Sequence, residues 1–117
     1  MRQIAINLHA KHGLDTASYI GKMRELGFHA LMTEALEIRE LAQIAELLSK
    51  NGLRYEMIHA PFKHINDIWL DNEKGERALA EMITAVRSAA AVGCPTVVVH
   101  LTAGKILPQI TDLGGAR

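Results

Sequence analysis

The order of apolar segments predicts an α/β fold built on a parallel sheet. Two observations carry that prediction. Short apolar runs alternate with longer amphipathic stretches along the whole chain, and such alternation argues for parallel strands joined by crossover helices. The amphipathic stretches also share their punctuation. They close on "ELGF", "KNGL" and "AVGC", which puts Gly27, Gly52 and Gly93 where a left-handed helix C-terminus is expected. Each glycine is soon followed by a strand-like run, giving four βα-like units, the last unfinished.

The elements follow in order. "IAINL", Ile4 to Leu8, reads as a buried strand. "TASYIGKMRELG" reads as the first helix, with Asp15 as N-cap and Ile20, Met23 and Leu26 on one face. "HALMT" is the second strand. From Glu37 to Lys50, Leu41, Ile44, Leu47 and Leu48 form one stripe, the pattern of an amphipathic helix. "YEMIH" is the third strand. From Glu73 to Val92, Leu79, Met82, Ile83, Val86 and Ala90 align on a third helix. "TVVVHL" is the fourth strand, and its unbroken β-branched run predicts burial on both faces. The longest irregular stretch runs from Pro61 to Asn72.

Composition narrows the class. The 117 residues fit one domain. Apolar residues make up 49% and aromatics only 4%, so aliphatic side chains must fill the core. Thirteen basic residues balance thirteen acidic ones. That neutrality disfavours nucleic acid as a partner. The single cysteine, Cys94, has no internal disulfide partner, which points to a reducing, cytoplasmic setting. The opening "MRQIAINLHA" has too short an apolar run for a signal peptide, and no stretch is long enough to span a membrane.

The histidines carry the functional reading. In parallel α/β folds, ligands bind at the C-terminal ends of strands. His9, His59 and His100 fall at or near those ends on strands one, three and four, and His12 and His64 lie in the loops that follow. Only His29 lies elsewhere. Imidazole at such a rim binds a divalent metal or moves a proton near neutral pH.

The motif "IHAPF", with Asn66 downstream and "VVVHLTAG" further on, resembles the xylose isomerase-like TIM barrels. That superfamily includes sugar-phosphate isomerases and epimerases and the endonuclease IV type of DNA-repair enzyme. The resemblance runs from "IAINLHA" to "ITDLGGAR". It implies the N-terminal half of a (β/α)8 barrel, since a whole barrel needs about 250 residues. Residues 1–117 are then a single partial domain. The resemblance places zinc-binding histidines at His59 and His100 in the endonuclease branch and substrate-contacting ones there in the sugar branch. On strand two, "GFHALM" sets Met32 where the family often has glutamate, and Glu34, two residues on, is on the same side of an extended strand.

These readings give a set of expectations. The leading function is metal-assisted isomerisation or epimerisation of a sugar or sugar phosphate, by proton or hydride transfer beside a carbonyl. His59 and His100 are the catalytic candidates. Asn66, His9 and Lys63 are the substrate-binding candidates. His59, His100 and Glu34 are the candidate ligands for a divalent ion such as Zn or Mn. Lys105 is a further candidate for meeting a phosphate, Trp69 packs under its loop, and Cys94 has no assigned chemistry. This half-barrel alone is expected to lack the full site. The alternatives are an endonuclease IV-like zinc phosphodiesterase and a non-catalytic binding or assembly module. Two open sheet edges predict a homo-oligomer paired through strands.

Overall fold

The computed structural model describes residues 2–8 and 13–104. Its elements run β1 (Ala5–Asn7), α1 (Thr16–Glu25), β2 (Ala30–Glu34), α2 (Ile38–Lys50), β3 (Arg54–His59), a 3-10 turn (Ile65–Trp69), α3 (Glu73–Ala91) and β4 (Val97–Val98). The four strands form one parallel sheet in the order β1-β2-β3-β4. Sequential order with a helix after each of the first three strands is the arrangement of half a TIM barrel. The fold class read from the sequence is the one observed.

Helix ends follow local chemistry. Asp15 caps α1 by accepting from the Ser18 backbone N–H at 2.9 Å and from its hydroxyl at 2.6 Å. These bonds favour the ionised carboxylate and lower its pKa. Asn72 caps α3 by accepting from the backbone N–H groups of Lys74 and Gly75. Gly27, Gly52 and Gly93 all take positive φ just past their helices, as the punctuation predicted.

The core lies between the sheet and the helices. Ile20, Leu31, Leu41, Leu48 and Ile58 are fully buried there. Helix α3 departs from expectation. Its buried residues are Gly75, Ala78, Met82, Ala85 and Ala89, whereas Leu79, Ile83 and Val86 are exposed. Small side chains let the helix lie close to β3 and β4, so the small-residue seam faces the sheet and the large aliphatics flank it.

Strand β4 also departs from expectation. The ladder covers Val97–Val98 only. Val99 and Leu101 are exposed at 46% and 74%. Among the described residues β4 pairs on one side alone, with β3. Val97 and Val98 are half-buried rather than buried on both faces.

Candidate functional site

Register decides which side chains share the C-terminal rim of the sheet. Along β2 and β3 the pairing shifts between Leu31 and Met32, so that Tyr55 faces Leu31 while Met57 faces Met32. Glu56 is the extra residue. This irregularity sets the alternation of β3 and brings His59 level with Glu34. Val98 is level with His59 in turn. His100 lies two residues beyond Val98, on the same side of an extended chain.

The imidazoles of His59 and His100 stack with ring centroids 6.0 Å apart and planes 30° apart. Phe62 tilts against His100 with centroids 5.2 Å apart. A cavity of about 400 Å³ opens beside them, lined by Glu34, Ala35, His59, Ala60, Pro61, Phe62 and Lys63. One carboxylate, one imidazole and one ammonium group thus border a single cleft, with a second imidazole stacked at its edge. Glu34, His59 and Lys63 are brought together as candidates; His100 joins through its ring contact.

Asn66 does not line that cleft. Its carboxamide oxygen accepts from the Ala103 backbone N–H at 2.9 Å, which ties the loop after β3 to the segment after β4. His64 is not a free loop residue. Its Nδ1 lies 2.8 Å from Glu81 Oε1 on α3, and its side chain is 27% exposed. Asp67, in the same loop, pairs with Arg77 of α3 at 3.5 Å. The loop is therefore pinned to α3 at two points. Trp69 donates its Nε1–H to the Leu101 carbonyl at 3.3 Å, and with Ile65, Ile68, Leu79, Val99, His100 and Leu101 it lines an apolar groove. His9, His12 and Lys105 lie outside the described residues.

The described candidates for holding a metal ion are two imidazoles and one carboxylate. Among the described residues, no three His, Cys, Asp or Glu side chains converge in a way that would hold one. Two histidines also fall short of the three protein ligands of a catalytic zinc site.

Sequence reasoning passed over one buried pair. The hydroxyls of Thr33 and Tyr55 hydrogen-bond to each other inside the core, and burial pushes the Tyr55 phenol up to about 12. The alternation of β2 and β3 held the only signal, because both residues fall on the helix side. Cys94 is buried, and burial raises its thiol pKa.

Comparison with known proteins adds to the fold. No family model matches the chain, and no curated protein matches it in sequence. Among solved structures it is similar to the crystal structure of an AP endonuclease, family 2, from Brucella melitensis, with a TM-score of 0.65 and 17% identity. The match covers 83% of this chain and 40% of that one, so the chain spans well under half of its structural relative. At that identity the likeness shows the fold alone, a run of parallel βα units shared with part of the larger structure. No helix among the described residues is long and apolar enough to cross a membrane.

Proposed function

We propose that the chain supplies one side of a binding site for a small polyhydroxylated molecule, a sugar or sugar phosphate, in an isomerase- or epimerase-like barrel. The observation that carries this reading is the cleft lined by Glu34, His59 and Lys63, with His100 stacked on His59. Sugars are recognised by dense hydrogen bonding and by apolar faces of rings. The cleft offers acceptor, donor and aromatic surface within one small volume. In this reading Lys63 meets a phosphate or hydroxyl oxygen. Glu34 and His59 are the groups within reach of a proton beside a carbonyl. No step is assigned to a metal, because no three donors converge among the described residues.

The comparison favours a second reading, phosphodiester hydrolysis, since the similar structure is titled an AP endonuclease. The chain's formal charge of zero gives that reading little electrostatic support.

Amide chemical shifts of the 117-residue chain, titrated with fructose 6-phosphate, fructose and an abasic-site oligonucleotide, separate the readings. The first reading expects saturable shifts at Lys63 and His59 with the sugars, stronger with the phosphorylated one and lost in His59→Ala. Shifts only with the oligonucleotide support the second reading. Shifts with none of the three leave the assembly-module alternative.

A further inference from the structure

Lys63 is the one lysine or arginine among the residues that line the cleft. Its ammonium rides on a flexible four-carbon stem, so the base of the stem decides where the charge can reach. Two fixed points set that base. On one side the Ala60 backbone N–H donates to the Val98 carbonyl of β4 at 2.9 Å. On the other, loop residues spaced three apart lie against successive positions of α3. The Leu70 carbonyl oxygen sits 1.8 Å from where a Cβ on Gly75 would stand, Asp67 pairs with Arg77, and His64 Nδ1 lies 2.8 Å from Glu81 Oε1. The His64 bond is the contact nearest the cleft, one peptide bond from Lys63. The second oxygen of Glu81, Oε2, is buried and has no hydrogen-bond partner among the described residues. A buried carboxylate oxygen left unpaired costs stability. The carboxylate at position 81 therefore does little for the helix, and its one bond goes to fixing His64.

We infer that Glu81 is a positioning residue for Lys63 and, through it, decides how strongly the cleft prefers a phosphorylated sugar to a free one. The inference rests on the sugar-phosphate reading of the cleft. Glu81 does not line the cleft, so it acts through His64. With the bond in place, residues 61–63 are held at both ends and Lys63 stands at the cleft wall. There a phosphate meets a full charge, whereas a hydroxyl meets only a donor. Without the bond the loop keeps its seat on α3, because Ile65 is buried and the Asp67–Arg77 pair remains. The segment carrying Lys63 then loses one fixed end, and the loss falls on the phosphate more than on the sugar. Charge alone predicts the opposite sign. Removing a carboxylate near an anion site favours the anion, so the direction of the change separates positioning from bulk electrostatics.

Amide chemical shifts of the 117-residue chain, titrated with fructose and with fructose 6-phosphate, give the preference as the ratio of the two dissociation constants. Glu81→Ala should lower that preference about fivefold, the effect of one exposed ion pair, with fructose binding unchanged. Glu81→Gln, whose side-chain carbonyl still accepts from the imidazole Nδ1–H, should keep it. His64→Ala should match Glu81→Ala, and it tests the same bond from the loop side if the helix variant does not fold. In a Lys63→Ala background, Glu81→Ala should change nothing further. A Glu81→Ala chain that keeps or strengthens the wild-type preference, or that weakens both sugars alike, overturns the inference and leaves the sugar reading standing. A wild-type chain that binds both sugars equally overturns it as well. A wild-type chain that binds neither sugar removes the sugar reading itself, and the inference falls with it.

Discussion

Two glycines inside helices provide a test of how far local propensity governs this chain. On propensity alone, alanine should stabilise either helix by about 1 kcal/mol. Gly21, in α1, has nothing within 4 Å of where a Cβ would stand. Gly21→Ala is therefore expected to stabilise the protein by about 0.5–1 kcal/mol. At Gly75, in the first turn of α3, a Cβ would stand 1.8 Å from the Leu70 carbonyl oxygen and 3.1 Å from that of Asp67. Both obstacles are backbone. Relief to a 3.0 Å contact needs the loop to retreat by about 1.2 Å, and such overpacking usually costs more than propensity returns. The loop that retreats carries buried Ile65, the His64–Glu81 bond at 2.8 Å and the Asp67–Arg77 pair at 3.5 Å. A net loss of about 2–4 kcal/mol follows for Gly75→Ala. Urea unfolding with an unchanged m-value measures both variants. A Gly75→Ala protein as stable as Gly21→Ala would refute the reasoning, because it would mean that the loop is not held against α3.

Three further outcomes are expected. Thr33→Val or Tyr55→Phe alone should cost about 1–3 kcal/mol by leaving a buried hydroxyl without its partner, and the double variant should cost less than the sum; additive losses would mean the hydroxyl bond contributes nothing. Because the folded Tyr55 phenol is raised from 10.0 to about 12, its stabilising contribution is complete below pH 10 and is lost as pH rises toward 12; denaturant midpoints in Tyr55→Phe should show a shallower decline over that window. Calorimetric titration with zinc should find weak binding that Glu34→Ala leaves unchanged, and tight stoichiometric binding abolished in both His59→Ala and Glu34→Ala would show that the side chains rearrange into a metal site.

By itself the sequence determined the elements and their order. Alternating apolar runs, the caps at Asp15 and the glycines at 27, 52 and 93 act over a few residues, so they are legible without the fold. His59 and His100 could also be placed at strand ends for that reason. Tertiary structure decided what depends on register and on which face is covered. The irregularity between Leu31 and Met32 is set by pairing across two strands, and it alone makes Glu34 level with His59. The stacking of the two imidazoles depends on how the loops after β3 and β4 are tied, including the Asn66–Ala103 bond across 37 positions of sequence. The stripe of α3 was misread because periodicity weighs large aliphatics most heavily. Against a sheet, close approach favours small side chains, and Ala78, Ala85 and Ala89 won the buried face that Leu79, Ile83 and Val86 were expected to hold. Hydrophobicity can be counted along a chain, whereas the distance between two packed surfaces exists only once both are in place.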